Sequence, residues 1–167
     1  SAVDKQTSPG YCHFTKLNAL TGEVIWQNKI ACRKMGDSTK TIEGGMFSTP
    51  LLGHGDCEGL IFTNICGMGT SDTGTFVAIN RKSGKVVYST RLASYSWSSP
   101  VALYTADEKM YIFTGDVIGN AYLIEASTGR IIFKQRLANN FESSPVVIDN
   151  YVCVGSRGRE IHMFRIR

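Results

Sequence analysis

Short apolar runs separated by turn residues fill this chain, and no stretch of useful length carries helical periodicity. Residues 99–103, 110–114, 121–125 and 130–134 each read as a strand, rich in β-branched and aromatic side chains. Asp107-Glu108, residues 115–120 and Ser127-Thr128-Gly129 supply the turns, so this unit is an antiparallel four-stranded meander. A shorter version follows, with strands at 143–148, 151–154 and 160–166 and turns at Asp149-Asn150 and 155–158. An earlier version has strands at 60–65 and 75–80, joined by a long glycine-rich loop at 66–74.

The meander recurs with fixed punctuation. Thr21-Gly22, Ser83-Gly84 and Thr128-Gly129 each lead into an apolar strand with an aromatic residue: Trp26, Tyr88 and Phe133. After each of these strands comes Ser48-Thr49-Pro50, Ser98-Ser99-Pro100 or Ser143-Ser144-Pro145, opening the next unit. A repeat of about 40–50 residues built only of short strands is the period of a β-propeller blade. The expected fold is therefore all-β: a β-propeller segment of about three four-stranded antiparallel blades, the C-terminal part of a larger propeller. The chain divides into the end of a blade (1–28), blades at 46–90 and 97–136, and three strands of a last blade at 142–167.

Aligned on the turn glycines, residues 1–10 fall in a loop between the second and third strands of a blade. The chain is thus expected to open inside a blade, at a cut in an exposed loop. Apolar blade faces and sheet edges would be left for the rest of the propeller to cover.

Composition narrows the class. The 167 residues are 43% hydrophobic, enough for a domain with a real core. The net charge of +4 is scattered and the cluster Arg33-Lys34 is short, so no nucleic-acid stripe is present. No run of about 18 apolar residues exists to span a membrane. The five cysteines contain no C-x-x-C pair and are odd in number, against a zinc ribbon or a complete set of internal disulfides. Cys12, Cys66 and Cys153 lie in apolar runs and read as small buried hydrophobes.

Candidate chemistry is sparse. The loop at 66–74 lacks G-K-[ST] and a following helix, so it reads as a hairpin extension, not a phosphate loop. His54, Asp56 and Cys57 fall within four residues, but a glycine-bearing turn is a poor frame for nucleophilic or metal chemistry. His162 reads as a satisfied structural histidine and His13 as exposed. The residues before each Ser/Thr-Pro pair ring one mouth of the channel, because strand-four-to-one and strand-two-to-three loops share a face. The candidate ligand-binding residues there are Phe47, Tyr95, Trp97, Asn140, Phe141 and Glu142, with Met46 and Ser96 beside them. Aromatic faces with amides nearby suit a sugar or peptide ligand. The competing reading is that Phe47, Trp97 and Phe141 simply pack between blades.

The punctuation at 17–26, 77–88 and 123–133, with Ser-Ser-Pro at 98–100 and 143–145, resembles the PQQ-like repeat of quinoprotein-type β-propellers. The resemblance covers nearly the whole chain after residue 10. It implies blades that dock through a strand-four tryptophan; only Trp26 keeps it, with Tyr88 and Phe133 standing in. It also implies two kinds of function. One is a non-catalytic binding or scaffold module, extracytoplasmic or secreted, with no cofactor and a protein or carbohydrate ligand. Its partner would be the N-terminal portion of the same propeller as a separate chain or fragment. The alternative is a fragment of a PQQ-dependent dehydrogenase whose quinone and calcium site lies mainly in missing blades. Dehydrogenases of this family hold calcium through Glu, Asn and Asp, and several have adjacent cysteines. This chain has no adjacent cysteines, and its acids mostly fall in turns (Asp107, Glu108, Asp149) or beside a repeat glycine (Glu23), so an enzyme is the less favoured reading.

Overall fold

A computed structural model describes residues 10–33, 35–36, 41–42, 44–69 and 71–166. The first sheet pairs β1 (Gly10–Leu17) with β2 (Val24–Cys32). A two-residue hairpin, β3 (Met35–Gly36) and β4 (Thr41–Ile42), follows. Next comes a four-stranded sheet of β5 (Leu51–Leu52), β6 (Leu60–Cys66), β7 (Gly74–Asn80) and β8 (Val86–Arg91) in sequential order. The second four-stranded sheet contains β9 (Val101–Tyr104), β10 (Met110–Gly115), β11 (Asn120–Glu125) and β12 (Ile131–Arg136). The chain ends in a three-stranded sheet of β13 (Val146–Ile148), β14 (Tyr151–Gly155) and β15 (Ile161–Arg165).

These are the expected meanders. The one helical element among the described residues is a single 3-10 turn at Gly55–Cys57. Two details differ. The Ser-Ser-Pro segments lie before the first strand of each blade, not within it, since proline has no N–H to give the ladder. The β3–β4 hairpin was not legible, being too short for any pattern. Expectations for residues 1–9 lie outside the described residues.

Adjacent sheets join in three layers. The middle layer is apolar. Cys12, Phe14, Ile30 and Cys32 meet Ile61, Ile65, Val77 and Ile79 at the first joint. Phe62, Phe76, Ala78 and Leu92 meet Met110, Ile112, Tyr122 and Ile124 at the second. Phe113, Ala121 and Phe141 meet Val152, Val154 and Phe164 at the third. Each fully buried large side chain contributes roughly 1.5–3 kcal/mol, so this layer dominates stability.

The outer layer explains the turn glycines. Asn18 and Asn80 each accept two backbone N–H groups through Oδ1, closing the turn two and three residues on. The chain then takes positive φ at Gly22 (75°), Gly84 (72°) and Gly129 (75°). The aromatic residue of the preceding blade lies over two of these glycines. Trp26 Nε1–H donates to Arg81 O at 3.2 Å, and the Tyr88 hydroxyl donates to Ala126 O.

The inner layer explains the Ser/Thr-Pro pairs. Thr49 N–H donates to Ser99 Oγ at 2.9 Å, and Ser99 N–H donates to Ser144 Oγ at 3.3 Å. The second and third blades thus each hand a backbone donor to a hydroxyl of the next. Buried Asn64 adds a further tie, its Nδ2 facing Ser96 Oγ, Ser98 O and Thr114 Oγ1 at 3.1, 3.0 and 2.9 Å.

Candidate functional site

The six candidate residues separate into an aromatic group, a polar group and one core residue. Phe47, on the approach to β5, is half exposed and meets Trp97 edge-on at 6.3 Å between ring centroids. Trp97, on the approach to β9, lies tilted against Tyr95 at 5.3 Å. These three rings therefore cross the boundary between the second and third blades. Trp97 Nε1–H is buried and has no hydrogen-bond partner.

The polar group sits at the next boundary. Asn140 Oδ1 accepts the Arg157 N–H at 2.9 Å, and Arg157 Nη2 lies 2.8 Å from Glu142 Oε2. Asn140 Nδ2 reaches Glu142 Oε1 at 3.4 Å. The Arg157 side chain is largely exposed, so this ion pair contributes at most about 1 kcal/mol and acts by orientation. Tyr95 feels the charges of the polar group. Its phenol is pushed above the ordinary tyrosine range by burial first, then by the Glu142 carboxylate, with the Arg157 guanidinium opposing.

Phe141 is different. It is fully buried, packs edge-on to His162 at 5.3 Å, and rests where a side chain on Gly115 would otherwise be. It stiffens the wall between Asn140 and Glu142 and offers no face to a ligand. Arg157 was the missed residue. Its signal was the turn at 155–158, a strand-two-to-three loop that lies on the same face as the Ser/Thr-Pro approaches.

The other candidates are structural. Asp56 Oδ1 accepts the Met110 N–H at 3.1 Å across a blade boundary, and His54 is exposed. Cys57 is buried in the second joint, its thiol pushed up to about 12 by burial and then by Asp56, so it is no nucleophile at neutral pH. Cys12 and Cys32 are buried, and the Cys32 thiol donates to Ile30 O at 3.5 Å; the neighbouring Cys32 thiol, more than burial, raises the Cys12 pKa. Cys153 is only partly buried. His162 is mostly buried, but it is not satisfied: Nε2 lies 3.3 Å from Glu160 Oε2 without hydrogen-bond geometry. His13 is half-buried.

A calcium–quinone site needs six to eight converging oxygens. Among the described residues no three His, Cys, Asp or Glu side chains gather to hold a metal. The buried carboxylate of Asp116 is already taken: Ile118 N, Asn120 N, Asn120 Nδ2 and Tyr122 Oη all donate to it, at 3.2, 2.9, 2.7 and 2.7 Å. The described residues do not fit that group. No helix of the described residues is long and apolar enough to cross a membrane.

Sequential meanders, an aromatic–glycine dock and a Ser/Thr-Pro inner tie define a PQQ-like β-propeller. Residues 13–166 match the family described as outer membrane protein assembly factor BamB, and the chain belongs to that family. Two solved structures share the fold. BamB from Moraxella catarrhalis superposes with a TM-score of 0.62 at 16% identity, over 98% of this chain and 44% of that one. A europium-containing methanol dehydrogenase superposes with a TM-score of 0.57 at 16% identity, over 93% of this chain and 34% of that one. The chain thus spans less than half the length of either. No curated protein matches it.

Proposed function

We propose that this chain is a non-catalytic binding or scaffold module that receives a ligand on the face carrying Phe47, Tyr95, Trp97, Asn140, Glu142 and Arg157. The observation that carries this reading is the cluster of three rings, Phe47, Trp97 and Tyr95, in which Phe47 is half exposed. Rings give a ligand flat apolar contact, and the held Asn140–Glu142–Arg157 group gives it direction. Work as part of a larger propeller is supported by the length of the related structures. An extracytoplasmic setting rests on family resemblance alone. PQQ with calcium belongs to the alternative, a dehydrogenase with its site in other blades.

Trp97 fluorescence tests the reading. Titration with extended aromatic-containing peptides and, separately, with oligosaccharides is expected to shift Trp97 emission saturably for one class, with the Trp26→Phe variant removing the second tryptophan. Trp97→Ala and Arg157→Ala should each weaken binding at least fivefold. A flat response to both ligand classes overturns the proposal, as does a quinone absorbance in the isolated protein.

A further inference from the structure

We propose that the turn Arg157-Gly158-Arg159 reads carboxylates, so that the ligand of the mouth is an extended peptide with Asp or Glu residues to one side of an aromatic anchor. The inference rests on the reading of the mouth as a binding face and names the chemistry of what it binds. Basic residues scattered in the sequence meet at this corner. Arg136 ends β12, and Arg157 and Arg159 lie in the turn between β14 and β15.

The turn between β10 and β11 is built the same way and carries no charge at the matching positions. Asp116 N–H donates to Asn120 O, and Ser156 N–H donates to Glu160 O. Val117 N–H reaches Tyr95 O, whereas Arg157 N–H reaches Asn140 Oδ1. Arg157 therefore stands where Val117 stands, and Arg159 where Gly119 stands. Gly119 has φ 85° and Arg159 has φ 65°, both in the left-handed region that favours glycine. An arginine held there costs local stability, and residues kept in such conformations cluster at functional sites.

The charges around the turn are unbalanced. Glu142 takes one side of the Arg157 guanidinium, whose side chain is 70% exposed. Glu160 Oε2 lies 3.3 Å from His162 Nε2. Arg136 and Arg159 are exposed and have no carboxylate partner among the described residues. Arg136, Asn139 and Glu160 line one open hollow beside the turn. A guanidinium is a planar fork of N–H donors that matches a carboxylate through two bonds, whereas a neutral sugar gains nothing from the excess charge. The polar group is within electrostatic reach of the rings, since Glu142 and Arg157 both act on the Tyr95 phenol. An aromatic side chain against Phe47 and Trp97 anchors such a peptide, and its acidic residues extend to Arg157 and Arg159.

The test uses the full chain and three labelled peptides that share Ser-Phe-Ser and end in Glu-Ser-Glu, Gln-Ser-Gln or Lys-Ser-Lys. The glutamate peptide is expected to bind about tenfold tighter than the glutamine peptide at low salt, with the gap closing near 0.5 M salt. The lysine peptide should bind weakest. Arg159→Gly keeps the turn conformation, so its urea midpoint should hold or rise while the glutamate advantage falls about fivefold. Arg157→Val, the residue of the third blade, should lower that advantage as well. Equal affinities for the three peptides, or a glutamate advantage untouched by Arg159→Gly, overturn the inference. So does a short RNA that outcompetes the glutamate peptide. If all three peptides shift Trp97 emission alike, the reading of the mouth stands and this inference alone falls; if none binds, both fall.

Discussion

Trp26 lies so close over Gly84 that a methyl group on that glycine would sit 2.5 Å from the indole Cε3. Real side chains essentially never approach so closely. The glycine is thus required twice, once for its positive φ and once for the ring above it. Gly22 has the same backbone conformation and nothing within 4 Å of the equivalent point.

That pair separates backbone strain from docking. Gly22→Ala is expected to cost about 1–2 kcal/mol, the left-handed penalty alone. Gly84→Ala should cost that and the displacement of Trp26 as well, about 3 kcal/mol or more. Urea unfolding of the two variants checks the difference, and equal losses would show that the ring moves aside freely.

Asp116 makes a second prediction. Its carboxylate takes four donors while fully buried, and Tyr122 Oη also accepts the Ala93 N–H at 2.9 Å. Asp116→Ala leaves those donors without an acceptor and is expected to cost about 3 kcal/mol or more. Tyr122→Phe removes one donor and one acceptor and should cost about 1–2 kcal/mol. Thermal or urea unfolding reads both, with Asp116→Ala the larger.

Stability is expected to fall in alkali. Burial pushes the Cys57 and Cys66 thiols up to about 12 from an ordinary value of 9.0. Above pH 9 the unfolded chain loses these protons and the folded chain keeps them. The raised pKa therefore stabilises fully below pH 9, and that contribution is lost as pH rises toward 12. The slope is at most roughly 1.4 kcal/mol per pH unit per thiol. Urea midpoints at pH 8, 9.5 and 10.5 measure it, and Cys57→Ala should flatten the decline.

Much of this fold was legible because blade punctuation is local. Asn80 and Gly84 form their turn with near neighbours, and Ser99 binds Thr49 through a motif visible in the sequence. Asp116 was missed, although its donors lie within six residues, because a carboxylate beside a turn glycine reads as solvent-facing. Phe141 was grouped with the mouth for a similar reason. Long-range contacts with Gly115, His162 and the third joint turn it inward, the packing alternative that the sequence offered for it. Trp97 and Tyr95 follow from repeat position; the ring contact between them needed the third dimension.

Asn64 reaches three points on the far side of one boundary, and at the next Ser99 N–H meets Ser144 Oγ while Phe141 N–H donates to Asp116 O at 2.9 Å. A ligand reaching from Trp97 to Arg157 would span both seams, so its affinity would report the angle between neighbouring blades as well as the chemistry of its own surface.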